Sequence, residues 1–263
     1  MTLAVLLMYS LASVAGIVIV GDEEKNPVLE NTPAVEQEAE EENKEQDDEE
    51  NQDEENQEDE NSQEDEETEK VDVTESWELL LANVDNPLPQ GFEVKTAVVQ
   101  NSFKMDERIA DTVKKMIDDA KADGVDLMIC SAYRSVDRQQ QLFDEQVAQY
   151  VAQGKSKADA EALTATMIAI PGTSEHHTGL AADIVTPTHQ TLDPQFADTA
   201  AGKWLQENAV NYGFILRYPE GKEDITKIIY ESWHYRYVGV EHAKIIKEKG
   251  LCLEEYIEEL KGE

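Results

Sequence analysis

Two short segments of this chain carry the residue types of a catalytic metal site. The first, SEHHTGLAAD, contains His176 and Asp183, seven positions apart. The second, ESWHYRY, contains Glu231 three positions before His234. Two histidines and an aspartate can provide the three protein ligands of a catalytic zinc ion, with the fourth position left for water. Zinc lowers the pKa of such a water to about 7, and a spare glutamate can then act as the general base.

Two questions about these segments stay open at this point. His177 competes with His176, because adjacent side chains point in different directions and we expect only one of them to bind the metal. Glu231 and His234 pose a geometric problem, since residues three apart in an ideal strand face opposite sides. They can converge only if a turn or bulge falls between them.

A third segment, SAYRS, places Arg134 after an apolar run that we interpret as a buried strand over 125–131. An arginine at the end of a strand, next to a helix start, can project into a cleft. Its planar guanidinium suits a carboxylate or a developing oxyanion. A surface salt bridge is the alternative for an arginine taken in isolation.

The elements that must position these residues follow from apolar periodicity. Helices are predicted over 105–122, 136–153 (with Ser135 as N-cap), 157–170, 196–212, 241–249 and 253–260. Strands are predicted over 125–131, 179–185, 225–230 and 234–238. Helices and strands mix without regular βαβ alternation, which indicates an α+β fold.

The remainder of the chain divides by composition. Residues 2–20 are uncharged and mostly apolar, which predicts a signal peptide or membrane anchor over 1–21. Residues 22–70 hold 25 acidic residues and 3 lysines of a chain with net charge −36, and have too few large apolar side chains to fold. We therefore predict an acidic disordered linker over 22–70 and a catalytic domain over 71–263. No basic stripe exists that would attract nucleic acid.

The two cysteines, Cys130 and Cys252, form no CxxC pair and lie at no ligand spacing from a histidine. We interpret them as small buried apolar side chains. A disulfide between them needs only spatial proximity and stays open.

Taken in order, SAYRS, SxHxxGxAxD and ExWH resemble the VanY-type D-alanyl-D-alanine carboxypeptidases, in the zinc peptidase family that also includes VanX-type dipeptidases. The resemblance covers roughly residues 77–260, and the combined motifs are far more specific than any one alone. It implies a small antiparallel sheet that carries the zinc site and is flanked by helices, a Hedgehog/D-Ala-D-Ala peptidase-like fold.

The resemblance also implies a role for each residue. His176, Asp183 and His234 are the expected ligands of one zinc ion. Glu231 is the expected catalytic base, and Arg134 the residue that stabilises the polarised carbonyl.

Three further residues are expected to face the substrate: Ser174, Gln139 and Tyr133. Ser232 stands where many relatives have proline, which is a departure beside the base that leaves the metal ligands unchanged.

The implied reaction removes the C-terminal D-alanine from a peptidoglycan stem peptide, which is the expected partner. An L,D-carboxypeptidase or a peptidoglycan endopeptidase of the same fold is the alternative, as is a non-catalytic zinc or wall-binding module. Pure zinc binding needs neither Glu231 nor Arg134, so their presence argues against such a module. The protein is expected to be a monomer outside the cytoplasm, secreted or attached to the membrane through its N-terminal segment, and facing the cell wall.

Overall fold

The computed structural model describes residues 76–262, so the predictions for 1–21 and 22–70 lie outside the described residues. The strands are β1 (Thr96–Gln100), β2 (Phe103–Asp106), β3 (Met128–Ser131), β4 (Ala181–Val185), β5 (Phe214–Tyr218) and β6 (Glu231–Tyr237). The α-helices are α1 (Ala110–Ala122), α2 (Val136–Ala152), α3 (Lys157–Ala165), α4 (Ala200–Asn208), α5 (Glu223–Thr226), α6 (Val240–Lys249) and α7 (Leu253–Gly262). Short 3-10 helices span Trp77–Leu79, Glu175–Thr178, Pro194–Asp198 and Ala209–Tyr212. Within this part of the chain, no helix has the length and apolar character that a membrane crossing requires.

Four strands form an antiparallel sheet in the order β3-β4-β6-β5, and β1 and β2 form a separate hairpin. The register of this sheet sets Asp183 of β4 opposite Ser131 of β3 on one side and opposite His234 of β6 on the other. Side chains on directly opposed residues lie about 5 Å apart at Cβ. The predicted α+β class with a small antiparallel sheet is confirmed.

The two faces of the sheet differ because side chains alternate along each strand. On β6, Trp233 and Tyr235 belong to the main apolar core, together with buried residues of α1, β3 and α4. His234 and Arg236 alternate with them and are also buried. A second apolar cluster joins α6 and α7 to Leu79 and to residues of β5 and the end of β6. The sheet therefore carries its ionisable residues on the face away from the main core.

Strand β6 is irregular at the place where the motif spacing required it. Leu216 pairs with Tyr235 and Tyr218 pairs with Glu231, so two steps along β5 match four steps along β6. The two additional residues on β6 form a bulge, which changes the direction in which the side chains of that strand point. The bulge falls between the paired residues Glu231 and Tyr235. It lets the side chains of Glu231 and His234 point towards each other, although they are three positions apart.

Several boundaries differ from the sequence predictions for local reasons. The predicted helix over 105–122 begins at Ala110, because residues 103–106 pair with β1 and the Asp106 carboxylate accepts a hydrogen bond from the Arg108 backbone N–H (2.9 Å). The predicted helix over 196–212 is interrupted at Thr199, which is extended and caps α4 by accepting from the Gly202 N–H (3.0 Å). The hairpin and β5 were not predicted.

The predicted strand over 225–230 is wrong. Residues 223–226 form the short helix α5, and Lys227 ends it in the left-handed region with φ 64°. Thr226 Oγ1 lies 3.2 Å from the Lys222 carbonyl and 3.1 Å from the Ile228 carbonyl, so it ties the turn together. The apolar run that resembled a strand is a connection leading into β6. Both cysteines are free; Cys252 is buried as predicted, whereas Cys130 is partly exposed.

Gly179 ends the 3-10 helix that carries the first motif, and it occupies a position that only glycine fits. Its φ is 70°, and a Cβ there would lie 2.9 Å from the backbone nitrogen of Asp106, which donates to the Gly179 carbonyl. We expect Gly179→Ala to destabilise the protein by about 1–3 kcal/mol, measured by urea unfolding. Gly250→Ala is the matched control, since Gly250 has φ 65° and no atom within 4 Å of the position that a Cβ would occupy. Equal losses in the two variants would show that the contact with Asp106 is unimportant.

Candidate active site and metal centre

His176, Asp183 and His234 form a buried cluster whose ligand atoms all lie within 4.8 Å of one another. The shortest distances run from His176 Nε2 to Asp183 Oδ2, at 3.3 Å, and from His234 Nδ1 to Asp183 Oδ1, at 3.0 Å. In a tetrahedral zinc site with bonds of about 2.0–2.1 Å, neighbouring ligand atoms are about 3.3 Å apart. The donor set and its spacing therefore fit one zinc ion.

The hydrogen bonds of the two adjacent histidines separate their roles. His176 Nδ1 lies 2.7 Å from the Ala132 carbonyl, so this nitrogen carries the proton and Nε2 presents its lone pair to the cluster. His177 Nδ1 lies 2.7 Å from the Arg134 carbonyl, and its Nε2 accepts from the Gly172 N–H at 3.2 Å. Both ring nitrogens of His177 are thus engaged outside the cluster. The structure brings His176 to the other two residues and leaves His177 supporting the loop beside them.

The electrostatics of the cluster favour a cation. Burial raises the pKa of the Asp183 carboxyl, but His176 and His234 outweigh this and hold it well below its usual range. Burial and the nearby Arg134 charge lower the pKa of His176 to about 4, so this ring is neutral near pH 7. For His234, burial alone would lower the pKa, but the carboxylates of Asp183, Glu175 and Glu231 raise it to about 9. A metal ion that binds here must displace the proton of His234.

Glu231 lies at the start of β6, and its Oε2 is 3.6 Å from His234 Nδ1 because of the bulge. Burial raises the pKa of Glu231 to about 8; the charges of His234 and Arg134 oppose this increase, and the charge of Asp183 adds to it. A carboxylate with a pKa near neutrality is suited to accept a proton and return it in one catalytic cycle. A divalent cation beside it would favour the ionised form.

Arg134 follows β3, and its guanidinium lies beside Asp183 of the cluster. Its Nη2 donates to Ser131 Oγ (2.5 Å) and lies 3.7 Å from Asp183 Oδ2, while Nη1 donates to Gln139 Oε1 (2.9 Å). The backbone N–H of Arg134 donates to the His176 carbonyl (3.1 Å). The guanidinium is therefore held by two side chains at a fixed place beside the metal cluster.

We expect Arg134→Lys to lower kcat about 10²–10³-fold, because an ammonium cannot keep both the Ser131 and Gln139 contacts and still reach the substrate oxygen. Zinc content should not change. The measurement is steady-state release of the terminal amino acid with zinc quantified in parallel. Arg138→Lys is the matched control, since the partly exposed side chain of Arg138 on α2 donates to Gln141 Oε1 (3.2 Å) on the same helix. A loss of similar size in both variants would contradict a specific role for Arg134.

The three residues predicted to face the substrate are placed differently from one another. Tyr133 is 40% exposed next to Arg134. Ser174 is 3% exposed at the start of the 3-10 helix that leads to His176. Gln139 is 1% exposed, and its amide donates to the Ala169 carbonyl (2.6 Å) while its oxygen accepts from Arg134. Gln139 thus lies behind the guanidinium. Ser232, beside the base, donates through Oγ to the Asp193 carbonyl (3.1 Å).

Sequence reasoning did not assign three buried charged residues: Glu175, Arg217 and Arg236. Glu175 Oε1 accepts from Arg217 Nε (2.7 Å) and from Arg236 Nη1 (2.8 Å), and all three side chains are 0% exposed. A signal was available for the arginines, because Arg217 interrupts the apolar and aromatic strand β5 and Arg236 lies between two tyrosines of β6. Glu175 lies inside the first motif, next to His176, and its residue type alone does not distinguish it from a surface glutamate.

Comparison with known proteins identifies the family of this chain. A family model described as VanY, D-alanyl-D-alanine carboxypeptidase, matches residues 102–240. A D-alanyl-D-alanine carboxypeptidase from Enterococcus faecalis (strain ATCC 700802 / V583) is 43% identical over 184 residues. The match covers 70% of this chain and 66% of that relative, so the chain spans just under two thirds of the relative's length.

The fold is also similar to solved structures of related proteins. The vancomycin resistance D,D-pentapeptidase VanY from a VanB-type resistance cassette, determined in complex with Zn(II), has a TM-score of 0.63 and 42% identity. The match covers 69% of this chain and 99% of that one. The LdcB LD-carboxypeptidase has a TM-score of 0.60 and 41% identity, covering 68% of this chain and 84% of that one. Because the family model matches more than half of its residues, the chain belongs to the VanY family of D-alanyl-D-alanine carboxypeptidases, which are zinc peptidases.

Proposed function

We propose that this protein is a zinc-dependent D,D-carboxypeptidase that removes the C-terminal D-alanine from peptidoglycan stem peptides. The observation that carries the proposal is the convergence of five side chains: the buried cluster of His176, Asp183 and His234, with the buried Glu231 and the partly buried Arg134 beside it. A site that only bound zinc would need neither Glu231 nor Arg134.

The roles follow from the positions. His176, Asp183 and His234 would hold the zinc ion, which when bound supplies a Lewis acid and makes water more acidic. Glu231 accepts a proton from the attacking water as the bond between its oxygen and the scissile carbonyl carbon forms. Arg134 stabilises the negative charge that develops on the carbonyl oxygen. Glu231 then returns the proton to the leaving nitrogen as the peptide C–N bond breaks, and D-alanine departs.

The second candidate is an L,D-carboxypeptidase. It is favoured by the LdcB similarity, which is nearly as strong as that to the VanY pentapeptidase. The two activities differ in the residue before the scissile bond, D in one case and L in the other, and hence in the walls of the substrate cleft. We propose that Tyr133, which is exposed and precedes Arg134 in the chain, contacts the penultimate residue of the substrate.

Two stem peptides decide between the candidates. The purified zinc-loaded protein is incubated with a pentapeptide ending in D-Ala-D-Ala, and separately with the tetrapeptide that ends in an L-residue followed by one D-alanine. Free D-alanine is then quantified. Release from the pentapeptide with little from the tetrapeptide supports the D,D-activity. The reverse preference identifies an L,D-carboxypeptidase, and release from neither peptide with zinc bound rules out both.

The substrate places the reaction outside the cytoplasm. We propose that the uncharged segment over 2–20 directs the protein across the membrane or attaches it there, and that the acidic linker over 22–70 separates the domain from the membrane surface. Cell fractionation of the full chain and of a form lacking residues 2–20 tests this proposal. Retention of the shortened form in the membrane fraction would contradict it. We further propose that the domain acts as a monomer, which sedimentation of the purified protein tests.

A further inference from the structure

Two arginines on neighbouring strands of the sheet share one carboxylate oxygen. Arg217 Nε and Arg236 Nη1 both donate to Glu175 Oε1, at 2.7 and 2.8 Å. The other end of Arg217 makes a bidentate pair with Glu254 of α7, at 2.6 and 2.8 Å. Arg236 Nη2 donates to the backbone carbonyls of Glu78 (3.0 Å) and Leu80 (2.8 Å). The cluster balances two carboxylates against two guanidiniums, and Glu175 is fixed from two directions.

The second oxygen of Glu175 is aimed at the metal cluster. Among the residues that the structure describes, Glu175 Oε2 and His234 Nε2 are two of the few buried polar atoms without a hydrogen-bond partner, and they lie 3.7 Å apart. Leaving a buried donor and a buried acceptor unpaired is costly, and charged groups cost the most. A movement of less than about 1 Å brings this pair to a normal N–H···O distance. One hydrogen bond would satisfy both atoms.

The orientation of the His234 ring indicates what a hydrogen bond between Glu175 and His234 would do. Its Nδ1 faces Asp183 at 3.0 Å and belongs to the proposed ligand set, so Nε2 must carry the proton when Nδ1 binds a metal. His176 has the complementary arrangement, with Nδ1 on the Ala132 carbonyl and Nε2 towards the cluster. Histidine ligands usually donate their other N–H to a carboxylate or carbonyl, which fixes the tautomer and the ring orientation. Glu175 is the carboxylate in position to do this for His234.

We propose that Glu175 is a positioning residue for the metal centre, accepting the Nε2–H of His234 in the zinc-loaded protein and so holding Nδ1 on the metal. The proposal rests on the assignment of His234 as a zinc ligand. Arg217 and Arg236 keep Glu175 ionised and immobile. Their own anchors, Glu254 and the carbonyls at 78 and 80, lie outside the residues matched by the family model. The segment before β1 and helix α7 therefore contribute to the stability of this charge cluster.

Two substitutions at Glu175 test the proposal. Glu175→Gln keeps the shape but replaces the charged acceptor, and Glu175→Asp keeps the charge for the arginines but withdraws the carboxylate from His234. We expect both to weaken zinc binding by about 10- to 100-fold, the usual effect of removing such a partner. The zinc dissociation constant is measured by competition with a chromophoric chelator at fixed pH, and melting of the zinc-free protein is recorded alongside it.

Glu254→Gln is the matched control, because it makes the same chemical change in the same cluster but on the far side of Arg217. It should lower the melting temperature while leaving the zinc dissociation constant within about threefold of wild type, well below the change expected at Glu175. If the role of Glu175 were purely structural, the Glu175 variants would likewise melt at a lower temperature and keep nearly wild-type zinc affinity. Zinc affinity within threefold of wild type in a folded Glu175→Gln or Glu175→Asp protein would overturn the proposal.

The wild-type protein provides a test that needs no variant. With zinc bound, the Nε2 proton of His234 should exchange slowly with solvent and give a downfield imidazole resonance in a histidine-labelled sample. Its absence would contradict the proposal even if both Glu175 variants failed to fold. These readouts do not depend on turnover. A wild-type protein that binds zinc but releases no D-alanine would refute the proposed function, and the Glu175 results would still be interpretable.

Discussion

Glu231→Gln is expected to lower kcat for D-alanine release by about 10²–10⁴-fold, the range that a positioned general base contributes. Glutamine has nearly the shape of glutamate but cannot accept the proton of the attacking water. The side chain lies 3.6 Å from His234 Nδ1 and is outside the proposed ligand set, so zinc should remain bound at one ion per chain. Stopped assays of D-alanine release, with zinc quantified on the same samples, measure both expectations.

The control for this variant is Glu220→Gln, the same substitution at an exposed residue just after β5, which should retain wild-type turnover. Near-normal kcat in Glu231→Gln would exclude Glu231 as the base. Loss of zinc together with activity would show instead that Glu231 supports the metal, and the assigned role in proton transfer would have to be withdrawn.

His176→Ala is expected to abolish zinc retention and with it all measurable release of D-alanine, because a catalytic zinc site with two protein ligands left has lost its defined geometry. The matched variant is His177→Ala. Both ring nitrogens of His177 bond to the backbone at Arg134 and Gly172, away from the cluster. We expect that variant to keep zinc and to lose activity only in part, through a looser Arg134 loop.

Zinc content after dialysis and turnover of the two proteins decide the assignment. The opposite result, with zinc lost in His177→Ala and kept in His176→Ala, would require the adjacent histidines to exchange roles. Loss of zinc in both variants would point to a general collapse of the loop, which circular dichroism would detect.

Much of the site could be predicted from the sequence because its chemistry is concentrated in short motifs. The spacing of His176 and Asp183, and of Glu231 and His234, predicted which side chains meet, and the resemblance to the VanY family supplied their roles. The comparisons confirm the family and the fold class. Helices α2 and α6 were predicted nearly to their ends, since Ser135 caps the first and glycine follows the second.

The elements that were missed depend on pairing between distant segments. The end of β2 overlaps the helix predicted over 105–122, which hid the hairpin that β2 forms with β1. Strand β5 lacks the alternation that reveals a half-buried strand. Residues 225–230 have the composition of a strand, but no neighbour at the sheet pairs with them. The spacing indicated that a bulge was needed in β6, while its location depends on the register with β5. The Glu175 cluster joins four segments, and nothing local in the sequence predicts such an arrangement.

The pairing of Ser131, Asp183 and His234 across three adjacent strands has a consequence for how such enzymes diversify. Backbone hydrogen bonds set the spacing along this row, so the placement of Asp183 and His234 does not depend on the loops around the sheet. The connection at 219–230 can then change in length and composition while β4 and β6 stay paired. A scaffold of this kind permits selectivity for the penultimate residue to evolve separately from reactivity, which is consistent with pentapeptidase and LD-carboxypeptidase relatives at nearly equal identity.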